Sequence, residues 1–274
     1  MTVSKQLAVV GDPVSHSLSP LIHNRWIAEA GLDAHYSAVR LQAVDAAPDL
    51  REMRKAFFGL NITLPHKIAA LKAATKSSPE AQAIGAANTL AREAAGGWHA
   101  HNTDIAGFSD AFAHALGTRV HGSHVVLIGA GGAARAVAFH LSSMGVKFSI
   151  VNRTRANAET LARELAPNAT VAGLDDLRNL AAAADILINS ASLGHSGQTL
   201  PDLPAGKGRP FLDLSYGKAA RLALDPAQAA GWKPHDGLRM LVGQAAAAFR
   251  IWFGISPDFD GALGACQAAV AART

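Results

Sequence analysis

One stretch constrains the fold more than any other. His124-Val125-Val126-Leu127-Ile128 is a short apolar run, and Gly129-Ala130-Gly131-Gly132-Ala133-Ala134 follows it directly. A helically spaced segment then runs from Gly132 to Met144 and closes at Gly145. Strand, glycine-rich turn and helix in this order are the setting of the G-x-G-x-x-A dinucleotide turn. The glycines let the backbone turn sharply and approach a pyrophosphate, and the helix N-terminus offers free N–H groups and a positive dipole end. Gly129, Ala130, Gly131, Gly132 and Ala133 are therefore candidate cofactor contacts.

The same alternation extends over the chain. Residues 7–10, 36–39 and 60–64 read as strands, and residues 20–30 read as a helix with Ser19 as N-cap and Pro20 as first residue. After the glycine turn, 148–151, 185–189 and 211–214 read as strands and 157–165 as a helix. Residues 238–253 form an Ala-rich apolar helix ended by Gly254 and Pro257. Strands alternating with helices imply an α/β protein with mainly parallel sheets. Two α/β units joined near residues 104–122 are the simplest organisation, with the C-terminal helices packing back on the first.

Composition removes several function classes. With 274 residues, 49% hydrophobic and 17% charged, the chain is long and apolar enough for a full core and is not a disordered tail. The single cysteine, Cys266, excludes an internal disulfide framework and a Cys-rich zinc site, and fits a reducing compartment. The net charge of +4 is spread evenly, which argues against a nucleic-acid partner while mildly favouring an anionic small molecule. No apolar stretch has bilayer length, and Met1 to Leu7 shows no signal-peptide pattern, so a cytoplasmic protein is expected. The twelve histidines, His99, His101, His121 and His124 among them, show no metal-binding spacing, and no metal is assigned.

The strand after the glycine-turn helix ends in Asn152-Arg153-Thr154-Arg155, where an NAD-specific protein usually carries a carboxylate for the ribose hydroxyls. Two guanidiniums and a hydroxyl would hold a 2′-phosphate by charge-assisted bonds, which points to NADP(H).

Further polar motifs lie outside the nucleotide unit. They are Gly11-Asp12-Pro13-Val14-Ser15-His16-Ser17-Leu18-Ser19-Pro20, Asn61-Ile62-Thr63-Leu64-Pro65-His66-Lys67, Gly85-Ala86-Ala87-Asn88-Thr89 and Asn102-Thr103-Asp104. Asp213-Leu214-Ser215-Tyr216 and the run Asp236 to Gln244 follow near the C-terminus. Together, and in this order, they resemble the shikimate dehydrogenase family over nearly the whole chain. The resemblance implies a substrate-binding domain at 1–103, completed by 238–274, and a Rossmann NADP-binding domain at 104–237. It implies reversible NADPH-dependent reduction of 3-dehydroshikimate to shikimate, a step of aromatic amino acid biosynthesis. Lys67 matches the catalytic lysine and Asp104 its partner. Ser17 and Ser19 match the pair that holds the substrate carboxylate. Thr63, Asn88, Asp104 and Gln244 match the ring-hydroxyl ligands, and Tyr216 matches a substrate-contacting tyrosine. Leu214 and Gly237 match cofactor contacts.

The chemistry needs a pair such as Lys67 and Asp104. Hydride delivery to a ketone builds negative charge on oxygen, and an ammonium within hydrogen-bond reach can stabilise that charge and supply the proton. Two positions depart from the family: Arg239 stands where a glycine is usual, and His66 where an apolar aromatic is usual. The alternatives are a quinate/shikimate dehydrogenase using NAD(H) and a non-catalytic nucleotide-binding relative. A monomer or homodimer is expected.

Overall fold

The computed structural model describes residues 4–116, 122–191 and 200–273, and its contacts divide into two compact units, Met1–Gly107 with Leu241–Gln267 and Phe108–Met240 with Ala268–Thr274. The boundaries fall inside helices, not in linkers. The last residues cluster with the second unit, whereas the sequence suggested that the whole C-terminal segment joins the first.

The first unit starts with β1 (Lys5–Gly11), α1 (Ser19–Glu29), β2 (Ala34–Arg40), α2 (Ala47–Met53), β3 (Gly59–Ile62) and α3 (Lys67–Ala73). It continues with β4 (Lys76–Ser77), α4 (Pro79–Ile84), β5 (Thr89–Arg92), β6 (Trp98–His101) and the first turn of α5 (Asp104–Leu116), whose residues from Phe108 onward belong to the second unit. Its six-stranded sheet has the order β2-β1-β3-β5-β6-β4. Strand β1 lies parallel to β2 and β3, and β4 parallel to β6, but β5 is antiparallel to both its neighbours. The sheet is thus mainly parallel with one inverted strand. The strand read at 60–64 spans Gly59–Ile62, and Pro65, which lacks an N–H, could not have extended its ladder. One sheet face packs a core including Leu50, Leu60, Leu90 and Trp98.

The second unit contains β7 (His124–Ile128), α6 (Gly132–Ser143), β8 (Lys147–Val151), α7 (Arg155–Leu165), β9 (Thr170–Ala172), α8 (Leu177–Ala183) and β10 (Ile186–Asn189). Then follow β11 (Pro210–Asp213), α9 (Lys218–Ala229), β12 (Lys233–His235), α10 (Leu238–Phe253) and α11 (Phe259–Ala271), of which most of α10 and α11 return to the first unit. Its sheet is wholly parallel in the order β12-β11-β10-β7-β8-β9. Both halves grow outward from the adjacent strands β7 and β10, the doubly wound arrangement whose switch point binds ligands at the C-terminal strand ends. Apolar clusters cover both faces, Val125, Leu127, Ile150 and Ile188 on one and Val126, Ile128, Val151 and Leu187 on the other. Among the described residues no helix is long and apolar enough to cross a membrane.

Candidate active site

In the first unit, topology gathers the motifs at one sheet edge. The C-terminal ends of the parallel strands β1, β3 and β6 lead to Ser17, Thr63 and Asp104 respectively. The inverted β5 brings its start to the same edge, so Asn88, just before it, joins them. Backbone bonds lock this edge: Thr63 N–H donates to Val10 (2.9 Å), Asp12 to Leu64 (2.9 Å), Ile62 to Asn88 (2.7 Å) and Ala87 to Lys67 (2.9 Å).

Lys67 opens α3 and Asp104 opens α5. The Lys67 ammonium donates to Asp104 Oδ2 at 2.5 Å, with side-chain exposures of 14% and 6%. A pair this sheltered is held in place far better than a solvated surface pair. Asn88 Nδ2 donates to the other oxygen, Asp104 Oδ1, at 2.9 Å, and to Gln244 Oε1 at 3.3 Å. Gln244 in turn donates to Leu241 O at 2.9 Å. Lys67, Asp104, Asn88 and Gln244 therefore form one connected cluster, in which the lysine is the cation.

Ser19 differs from its expected role. Leu18 occupies the N-cap position, Ser19 is the first helical residue, and no side chain caps α1. The Ser19 N–H instead donates to Ser17 Oγ at 3.2 Å, and the two hydroxyls are 3.2 Å apart. The serine pair is thus bound to itself at the mouth of the helix, and the Ser19 side chain has no capping duty. His66, the unusual neighbour of Lys67, is buried with Nε2 2.7 Å from Leu41 O, so it serves to tie β3's exit to the segment after β2.

In the second unit, the glycine turn is shaped for close approach. Gly129 has φ +106°, and a Cβ there would stand 2.6 Å from Ser190 Oγ and 2.9 Å from Ala191 N. A Cβ on Gly131 would meet nothing within 4 Å, and α6 begins at Gly132 with no side-chain cap. The uncapped helix start at the β7/β10 switch point is the form a dinucleotide pyrophosphate requires, so the residues present fit that cofactor. Past β8, Asn152 Nδ2 donates to Thr154 O at 2.9 Å, and Thr154 precedes α7. Arg155 pairs with Glu159 at 3.1 Å, so its guanidinium is shared with a carboxylate. Gly237 N–H donates to Ser215 O at 2.8 Å, and the Leu214 carbonyl fills the space a Cβ on Gly237 would need. This joins Leu214, Gly237 and the turn carrying the half-buried Tyr216.

Asp213 sits under this turn, accepting from Asn189 Nδ2 (2.7 Å) and Ser215 N–H (2.6 Å). Burial pushes its carboxyl up to about 6, against the pull of those hydrogen bonds, and nearby Asp236 adds to the rise. Arg239 is not a free cation: it pairs with Asp110 on α5, Nε to Oδ2 at 2.6 Å and Nη2 to Oδ1 at 3.2 Å. The His99 and His101 rings meet in a tilted arrangement with centroids 4.2 Å apart, and among the described residues no group of three or more His, Cys, Asp or Glu could hold a metal. His121 lies outside the described residues.

Comparison with known proteins supplies the family. Family models match in succession: "Shikimate dehydrogenase substrate binding domain" over residues 9–90, "Shikimate / quinate 5-dehydrogenase" over 111–196 and "Shikimate 5'-dehydrogenase C-terminal domain" over 237–270. A curated shikimate dehydrogenase (NADP(+)) from Hyphomonas neptunium is 47% identical over 270 residues, 98% of each chain. The chain belongs to the shikimate dehydrogenase family. Among solved members, the enzyme from Thermus thermophilus in complex with NADP(H) and shikimate aligns with a TM-score of 0.81 at 38% identity, covering 97% of this chain and 99% of that one. A quinate dehydrogenase from Corynebacterium glutamicum in complex with NAD aligns at 0.84 with 28% identity over 97% and 99%. The fold is therefore the two-domain fold shared by shikimate dehydrogenases. Motif reading missed Tyr36, Asn61, Thr89 and Thr103, which lie behind Asn88; their types are ordinary in strands, and only the inverted β5 reveals their common position.

Proposed function

We propose that this chain is an NADP-dependent shikimate dehydrogenase, interconverting 3-dehydroshikimate and shikimate on the route to chorismate and the aromatic amino acids. The carrying observation is the sheltered Lys67–Asp104 pair with Asn88 on the second carboxylate oxygen, in a chain 47% identical to a curated enzyme of that name.

In this reading the first unit binds substrate. The Ser17 and Ser19 hydroxyls donate to the carboxylate at the mouth of α1, where an anion is favoured. Thr63, Asn88, Asp104 and Gln244 contact the ring hydroxyls, and Tyr216 is a further substrate contact. During reduction, Lys67 donates a hydrogen bond and then a proton to the carbonyl oxygen as its negative charge develops. In oxidation Lys67 would act as the neutral amine, taking the substrate hydroxyl's proton and becoming the ammonium, while the carbinol carbon would give its hydride to NADP+. Asp104 holds the Lys67 nitrogen in place, and Asn88 holds Asp104.

The second unit binds NADP(H), which supplies or accepts the hydride. Residues 129–133 receive the pyrophosphate. Asn152, Arg153, Thr154 and Arg155 receive the 2′-phosphate, and Leu214 and Gly237 line the nicotinamide end. The turn sequence 152–155 holds two arginines and neither Asp nor Glu, which supports NADP over NAD. We place the enzyme in the cytoplasm as a monomer or homodimer. The test is shikimate oxidation followed by cofactor absorbance with NADP and NAD in parallel, and quinate as second substrate. Turnover of shikimate with NADP is expected; exclusive turnover of quinate with NAD would move the chain to the quinate branch.

A further inference from the structure

The catalytic cluster continues backward into the first unit as a line of buried polar side chains that the reaction above does not use. Asn88 Oδ1 accepts from the Thr103 backbone N–H (2.6 Å) and from the Thr103 hydroxyl (3.1 Å). The Thr103 and Thr89 hydroxyls are 3.0 Å apart. Thr89 Oγ1 accepts from Asn61 Nδ2 at 3.0 Å, and Asn61 Oδ1 accepts from the Tyr36 phenol at 2.7 Å. Tyr36, Asn61, Thr89, Asn88, Thr103 and Asp104 are all at most 4% exposed.

The direction of these bonds is consistent. Each group has a hydrogen to give toward Asp104, so one arrangement satisfies all of them: Tyr36 to Asn61, Asn61 to Thr89, Thr89 to Thr103, Thr103 to Asn88, Asn88 to Asp104. The phenol at the head of the line is also held from outside. Asn24 Oδ1 accepts from the Tyr36 N–H (2.9 Å), Asn24 Nδ2 donates to the Tyr36 carbonyl (2.8 Å), and the His23 ring stacks on the phenol at 4.2 Å. Tyr36 thus stands at the head of the line to Asp104, with its backbone held by Asn24 and its ring by His23.

We propose that Tyr36 is a positioning residue for this reaction, anchoring Asn88 and Asp104 through one directed chain of buried hydrogen bonds. The proposal rests on the shikimate dehydrogenase reading, because Asn88 and Asp104, which the chain anchors, are the groups that reading places on the substrate's ring hydroxyls. A phenol suits the task because its hydroxyl donates to Asn61 while its ring fills the aromatic core.

The test is steady-state kinetics of shikimate oxidation with NADP for Tyr36→Phe, Thr89→Val and the double variant. Tyr36→Phe keeps the ring against His23 and removes only the oxygen. The expected result is a fall in kcat/KM of about tenfold, the size of effect of unpairing buried polar groups, shared between kcat and the shikimate KM. The KM for NADP stays within about twofold, and the double variant is no worse than the worse single one. A structural loss alone would reduce the active fraction without moving the shikimate KM, so an unchanged KM overturns the proposal. Wild-type kinetics in either variant, or losses that multiply in the double, overturn it as well. If Tyr36→Phe does not fold, Thr89→Val breaks the chain at another link and decides alone. An active wild type with an unaffected variant refutes only the positioning role, whereas a wild type inactive on shikimate refutes the reaction reading and this proposal with it.

Discussion

At Lys67, one nitrogen faces one carboxylate oxygen at 2.5 Å, and the second oxygen is occupied by Asn88 at 2.9 Å. The ammonium is thereby fixed within a sheltered cluster instead of sweeping through solvent. Lys67→Ala is expected to lower kcat by about 10²–10⁴, the range for losing a positioned acid–base group, with a smaller change in the shikimate KM. NADP binding, followed by fluorescence titration, should be unchanged. Near wild-type turnover in that variant would remove Lys67 from catalysis. The motif Asn61 to Lys67 made this residue legible, since a strand leading into Pro and then a lysine places it at a strand end. The roles of Asn61 and Thr89 were illegible, because their partners are 25 to 28 residues distant and meet only through sheet pairing.

At the level of elements, the glycine turn is the most readable segment, since local backbone chemistry alone dictates it. Gly129→Ala forces a Cβ at φ +106° against Ser190 and the Ala191 backbone. A destabilisation of about 1–3 kcal/mol and a raised KM for NADP are expected, checked by thermal unfolding and by kinetics. Unchanged values for both would mean that the turn tolerates a side chain. Other elements were hidden for physical reasons. The inverted β5 carries no local mark of direction, because parallel and antiparallel strands use the same residues. Helix α9 contains Pro226, which breaks the expected helical pattern even though the helix continues through it. The expected Ser19 cap is missing because Ser19 has already entered the helix, and its own N–H turns back to Ser17 two residues earlier.

For the whole molecule, the two units carry opposite acid–base responses. In the first, burial pushes His23 down to about 3 from an ordinary 6.5, so the folded ring stays neutral where the unfolded one gains a proton. Its contribution is present above pH 6.5 and is lost as pH falls toward 3. In the second, the carboxyl of Asp213 is raised to about 6 from 3.8, so its contribution is full below pH 3.8 and is lost as pH rises through 6. The Asp213 effect is about 2 kcal/mol between pH 4 and pH 7. Denaturation midpoints of wild type, His23→Phe and Asp213→Asn across this range separate the two. Relative to His23→Phe, wild type should weaken on acidification; relative to Asp213→Asn, it should weaken on alkalinisation. Three tryptophans, Trp26, Trp98 and Trp252, belong to the first unit and Trp232 to the second, so fluorescence weights the first signal. Parallel pH curves for all three proteins would contradict both assignments.

The most direct measurement of the central claim is the initial rate of shikimate oxidation by wild type and Lys67→Ala, with NADP and NAD compared at equal concentration. Rapid turnover by wild type with NADP, weaker turnover with NAD and a loss of about 10²–10⁴ in the variant are the predicted result. A wild type that reduces neither cofactor in the presence of shikimate, or a variant as fast as wild type, would contradict it.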